Sequence, residues 1–278
     1  MQEIVAKTFK AKGIMVSAEG ELTGEEIDAG MLIDQHYYAI ASKATLLKPE
    51  ALPVPADKFE EFFKISWKDA LAKKLVFNAL DACKHLNITA DEIDALYAKC
   101  PKVKFGGGFY CGKMEVPNSE PIYVFNAFFM SMRAKFVAPG TSIHYYVVEF
   151  NPAELSWADF RGKLLGPTNP ADAPKDSLRG LILADWRKLG LKEVPNTGDN
   201  GVHASASPFE GLAERMNWLK VQPSADPFGA ALIRAGVSEE TIKTWSVDPQ
   251  VKGKSLFDQL EDLNAEECLA KAVQLASA

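Results

Sequence analysis

Apolar positions fall along the chain in two rhythms, one helical and one extended. The helical rhythm is clearest from Trp67, where Trp67, Leu71, Leu75, Ala79, Cys83 and Leu86 recur at a spacing of about 3.6 residues. Ser66 precedes that run with Asp69 three positions on, an N-cap that predicts a helix from Trp67. Thr89 with Glu92 forms a capping-box pattern ahead of Ile93, Leu96 and Tyr97, so a second helix starts there. The apolar stretch from Phe125 to Phe136 reads as a helix ended by Pro139-Gly140. Leu155 to Leu165 is a shorter helix, and Ser207 with Glu210 opens another that runs to Leu219. The end of the chain reads as two or three helices, with caps at Ser238 and Asn264.

The extended rhythm is confined to fewer segments. Tyr37-Tyr38-Ala39-Ile40-Ala41-Ser42 reads as a buried strand, and the proline-rich Pro49 to Pro55 as a loop. Residues 104–125 alternate glycine with apolar and aromatic residues, predicting closely packed strands or loops. Thr141 to Phe150 is the strongest strand, dense in β-branched and aromatic residues with apolar positions on both faces, as in an interior strand. Strands separated by helices give an α/β (α+β) fold class. No internal repeat or low-complexity segment interrupts it.

Composition narrows the function class. With 278 residues the chain can bury a core without staples, and 47% apolar with 24% charged residues is the balance of a globular protein. A net charge of −6 argues against a nucleic-acid or polybasic membrane binder but leaves room for a local basic pocket. Cys83, Cys100, Cys111 and Cys268 match no paired metal spacing, so free thiols in a reducing compartment are expected. No stretch has the length of a signal peptide or a membrane span, which predicts a cytoplasmic protein.

The chemistry concentrates between Gly166 and Trp218. Gly166-Pro167-Thr168-Asn169-Pro170-Ala171-Asp172 is followed by Arg179-Gly180, then by Asn200-Gly201-Val202-His203-Ala204-Ser205-Ala206-Ser207, then by Glu214. Hydroxyl, guanidinium, amide and imidazole groups on stiffened loops are the groups that bind phosphate oxygens. A histidine becomes a nucleophile when one ring nitrogen is held by an acceptor, and Glu214 on the following helix is placed to supply it.

These residues, in this order and register, resemble the nucleoside diphosphate kinase signature. The resemblance is strong over residues 166–219 and extends weakly back to Thr141. It implies a ferredoxin-like domain, here enlarged as one domain over 1–278. That domain divides into an N-terminal segment 1–35, a kinase-like core 36–219 with a helical insertion at about 57–100, and a helical extension 220–278. It implies ping-pong transfer of a γ-phosphate from a nucleoside triphosphate to a diphosphate through phosphohistidine on His203. Glu214 would orient the imidazole with help from Ser205. Thr168, Arg179 and Arg161 would hold phosphates, Arg161 matching only if one residue is inserted before Gly166. Asn200 would contact the sugar. The active-site lysine is Lys43 or Lys48, the tyrosine Tyr123, and Phe128 would help sandwich the base. Mg2+ would bridge the phosphates, and a homo-oligomer is expected.

Two positions depart from the family, Ala206 and Pro167, where acids are usual. The alternative function is a nucleotide-binding scaffold or regulator of the same fold without turnover. A histidine-dependent phosphatase would need a water-activating acid close to His203, and the sequence offers no clear candidate beyond Glu214. The simplest roles elsewhere are structural: His36, His85 and His144 as packed or surface groups, Gly106-Gly107-Gly108 as tight strand packing, and the lysines between 58 and 74 as a solvated helix face.

Overall fold

Helices and short strands alternate along the computed structural model, which describes residues 1–117 and 120–277. The strands are Met15–Thr23 (β1), Val76–Asn78 (β2), Lys102–Gly106 (β3), Phe109–Met114 (β4), Ile122–Phe125 (β5), Ser142–Glu149 (β6), Gln250–Val251 (β7) and Lys254–Ser255 (β8). The mixed helix and strand content is that of an α+β protein. Contacts divide the chain at Leu22 and Ile143. One compact unit is Met1–Glu21 with His144–Ala278, and the other is Leu22–Ile143.

The 22–143 unit holds a four-stranded sheet in the order β2-β5-β4-β3, with β2 parallel to β5 and the other pairs antiparallel. Both of its faces are covered. Along β5, Ile122 and Val124 enter one apolar cluster with Ile93, Tyr97 and Phe129, while Tyr123 and Phe125 enter another with Phe59 and Phe63. That is the period-2 alternation of a strand used on both sides. Asn126 ends β5 and is fully buried; it accepts from Tyr110 N at 2.9 Å and donates to Ile40 O and Gly108 O.

Four expectations are corrected in this unit, wholly or in part. The helix expected from Phe125 begins only at Phe129, because Phe125 closes β5 and Asn126 turns left-handed (φ 48). Tyr37 to Ser42 is not a strand: Tyr38–Ala41 is α-helical and Ser42–Leu46 continues as a π turn. Short apolar runs carry no decisive period, and Thr45 closes the turn by bonding Asp34 and Ala41 O. The helix from Trp67 stops at Ala72, because Lys74 turns left-handed (φ 56) and leads into β2. Asn78 then starts a separate helix, Ala79–Leu86, by accepting from Asp81 N at 2.7 Å. A built Cβ at Gly106 or Gly107 would touch nothing within 4 Å, whereas at Gly108, which turns left-handed (φ 60), it would stand 3.3 Å from Ile40 Cγ1, so the run turns the β3–β4 hairpin and only its last glycine permits close packing. The caps at Ser66 and Thr89 form as expected.

In the unit of 1–21 and 144–278, β1 and β6 form a two-stranded ribbon. β1 is mostly exposed and β6 mostly half-buried, so β6 is not the interior strand its composition predicts. Helix Gln2–Ala11 packs Val5 and Phe9 into a cluster with Phe160, Leu164, Leu165 and Leu178, and Phe9 meets Tyr146 edge-on at 5.7 Å. A second cluster joins helix Pro208–Leu219 to helices Pro227–Arg234, Glu239–Trp245, Leu256–Leu260 and Ala265–Ala276. The last 50 residues hold three whole helices, within the two or three expected there, together with the end of Pro227–Arg234 and an unexpected β7–β8 hairpin. Ser238 and Asn264 cap as predicted.

Candidate active site

Four short segments of the 1–21 and 144–278 unit build the site. The first is Phe160–Leu165, a π turn closed by Gly166 N on Arg161 O at 3.0 Å. A π turn carries one residue more per turn than an α-helix. Gly166 follows at φ 91, where a Cβ would also lie 2.8 Å from Ser177 Oγ, so glycine is required twice over.

The second segment is the loop to Arg179. Asn169 accepts from Ala171 N and donates to Asp172, fixing the turn Pro170–Asp172. Thr168 is exposed, and its carbonyl receives Asn200 Nδ2 at 3.2 Å. Ser177 is buried; it accepts from Gly180 N and donates to Pro174 O at 2.6 Å. This N-cap starts helix Leu178–Asp185. Gly180 lies against the turn so closely that a Cβ would stand 2.1 Å from Pro174 O. Arg179 is buried and donates Nη1 to Gly166 O at 2.7 Å and Nη2 to Val202 O at 3.0 Å. It therefore staples the Gly166 turn to the segment carrying His203.

The third and fourth segments hold the imidazole and its acid. His203 Nε2 lies 2.5 Å from Glu214 Oε1, and Ser205 Oγ donates to Glu214 Oε2. One carboxylate thus holds both side chains. Glu214 projects from helix Pro208–Leu219, which Ser207 caps by accepting from Glu210 N at 3.1 Å. Glu210 stands one turn before Glu214 on the same face and accepts from Ala206 N at 3.0 Å. Half of the His203 side-chain surface is exposed, whereas Glu214 is mostly covered.

Electrostatics follow from this packing. Partial burial works to lower the His203 pKa, and Arg179 adds to that, but the charge and hydrogen bond of Glu214 outweigh them, helped by Glu210. The imidazole therefore titrates above its ordinary value. Burial, then the charge of Glu214, pushes Glu210 up to about 7, with His203 and Arg161 opposing. Sequence reasoning finds Glu210 only as a helix-capping partner. Its i, i+4 relation to Glu214 is the signal that places a second acid by the histidine.

Of the remaining expected residues, Arg161 stands on the first of these segments and the others belong to the other unit. Arg161 pairs with Glu261 at 2.5 Å and Asp262 at 2.8 Å. Lys43, Lys48, Tyr123 and Phe128 belong to the 22–143 unit. Lys43 sits on a π turn rather than at a strand end, and its Nζ donates to Ala39 O at 2.6 Å. Lys48 pairs with Asp81. Tyr123 lies within β5 among Phe59 and Phe63, with ring centroids 5.2 and 4.9 Å away. Phe128 packs near Tyr97 and Tyr110.

Chemically, an ionised Glu214 makes His203 Nε2 the protonated nitrogen. The neutral ring then carries its lone pair on Nδ1, the nitrogen that can attack an electrophile. No family model matches the chain, and no curated protein or solved structure matches it either. Among the described residues no helix is long and apolar enough to cross a membrane.

Proposed function

We propose that this chain is a nucleoside diphosphate kinase with His203 as its nucleophile. The observation that carries the reading is the single Glu214 carboxylate holding His203 Nε2 at 2.5 Å on one oxygen and Ser205 Oγ on the other. In the first half-reaction His203 Nδ1 attacks the γ-phosphorus of a nucleoside triphosphate. An N–P bond forms, the bond to the β–γ bridging oxygen breaks, and the diphosphate leaves with that electron pair. In the second, a diphosphate acceptor attacks the phosphohistidine and reverses the exchange. Glu214 stabilises the imidazolium-like charge throughout, and Arg161 and Thr168 are the groups offered to the phosphates.

Two acids beside the histidine fit a nucleotide that brings Mg2+ with it, since the metal offsets phosphate charge that Glu210 and Glu214 would otherwise oppose. A ferredoxin-like core, a homo-oligomer and a cytoplasmic location complete the proposal. The unbridged cysteines support the last of these. The test is transfer of phosphate from ATP to GDP by the full chain and by His203→Ala. Transfer by the wild type and none by the variant is expected; full transfer by the variant overturns the reading.

A second reading is favoured by a specific observation. Arg161 is bonded to acids and Arg179 to backbone carbonyls. A site so engaged suits a nucleotide-binding scaffold with little turnover. Turnover of about 1–10³ per second, the range of ordinary enzymes, rejects it.

A further inference from the structure

The contact between Arg161 and the C-terminal extension has no place in the transfer chemistry. Arg161 Nη1 is shared by Glu261 Oε1 at 2.5 Å and Asp262 Oδ1 at 2.8 Å. Both acids stand in the turn between helices Leu256–Leu260 and Ala265–Ala276. That turn is docked at two further points. Asp262 N donates to Ala206 O at 3.0 Å, on the residue next to Ser205. Asn264 Oδ1 accepts from Trp157 N at 3.0 Å, four residues before Arg161. Asp262 takes a left-handed backbone (φ 63) to make this approach, which aspartate tolerates better than most residues. The turn thus grips the segment bearing Arg161 and the segment bearing His203 and Ser205 together.

We propose that this turn is a built-in occupant of the phosphate site: Glu261 and Asp262 hold Arg161 until the phosphates of a nucleotide displace them. The inference rests on reading Arg161 as a phosphate ligand. A guanidinium bonds phosphate and carboxylate oxygens through the same donors, so carboxylates and nucleotide compete directly. Glu261 and Asp262 are both about half-exposed, so water can take them up when they are released. The contact is therefore exchangeable rather than a buried pair whose rupture would strand a charge. The extension then sets the nucleotide concentration at which the site engages.

The test is calorimetric titration of the full chain with ADP and magnesium chloride. Wild type is compared with Glu261→Gln/Asp262→Asn and with that double variant carrying Arg161→Gln. Each carboxamide keeps the size of the acid, and asparagine keeps the tolerance for a left-handed backbone. The double variant is expected to bind about 3- to 10-fold more tightly, the scale of losing two partly exposed ion pairs. Adding Arg161→Gln abolishes the gain. Glu261→Gln alone keeps the native Asp262 in the left-handed turn and is expected to give a smaller gain, which serves as the test if the double variant misfolds. Unchanged or weaker ADP binding in the charge-neutral variants, with binding still dependent on Arg161, overturns the competition and leaves the kinase reading standing. Binding indifferent to Arg161→Gln removes the arginine from the phosphate site and the competition with it. No ADP binding by any of these chains overturns the kinase reading and everything built on it.

Discussion

At the residue scale the site turns on how one carboxylate is shared. Glu214 holds His203 through Nε2 and Ser205 through its hydroxyl, so it sets the tautomer and the ring's charge together. Phosphoryl attack needs the neutral imidazole. The rate of His203 phosphorylation therefore rises with pH through a pKa held above the usual histidine value of about 6.5. Glu214→Gln removes the charge that raises it and leaves burial, which lowers it. We expect the rising limb of single-turnover labelling to move to lower pH, with a plateau about 10²-fold lower. A limb that stays in place would separate Glu214 from the titration. Gly180 gives a stability test at the same scale. A Cβ would stand 2.1 Å from Pro174 O, against backbone that cannot step aside cheaply. Gly180→Ala should cost about 1–3 kcal/mol in denaturant unfolding, and an unchanged midpoint would contradict the packing.

These residues were the most legible part of the chain. His203, Ser205 and Glu214 could be paired from order and spacing because a helix with an identifiable N-cap at Ser207 fixes where Glu214 points. The match at Arg161 needs one inserted residue, and the segment that carries it is a π turn. What the residue types could not convey is how Arg161 and Arg179 are engaged. Those partners are Glu261, Asp262, Gly166 O and Val202 O, and all but Gly166 O come from distant sequence.

At the element scale, helix Pro208–Leu219 carries two acids on one face toward one histidine. Glu210 is raised to about 7 from an ordinary glutamate value near 4.5. The folded state therefore holds its proton where the unfolded chain releases it. The stabilisation this gives is fully present below about pH 4.5 and is lost as pH rises through about 7. Glu210→Gln should flatten that decline and make the protein more stable than wild type at pH 8, by on the order of 1–3 kcal/mol. Urea unfolding of both forms at pH 5 and pH 8 measures it; a constant difference between them would show that Glu210 does not titrate in this range. Elements were legible where a side chain caps its own helix, as at Ser66, Thr89, Ser207 and Ser238. They were misread where tertiary contacts decide. Tyr38–Ala41 is helical and closed off by Thr45, and Asn78 begins a helix at a position an unbroken apolar rhythm runs straight through.

At the scale of the whole molecule, the length of 278 residues resolves into two compact units, each with its own apolar clusters. The block expected to be a helical insertion contains a strand, β2, and shares the 22–143 unit with the four-stranded sheet. Sequence could not reveal that division, because the 1–21 and 144–278 segments join only through pairing and packing at long range. The motif-bearing segments all fall within that one unit, which is why local spacing sufficed to find them. The central claim is that His203 accepts the γ-phosphate of a nucleoside triphosphate. Incubation with γ-labelled ATP and magnesium should give an acid-labile, base-stable label on the wild type. GDP should remove it, and His203→Ala should not acquire it. A wild-type chain that takes no label, or a His203→Ala chain that takes as much, would contradict the account.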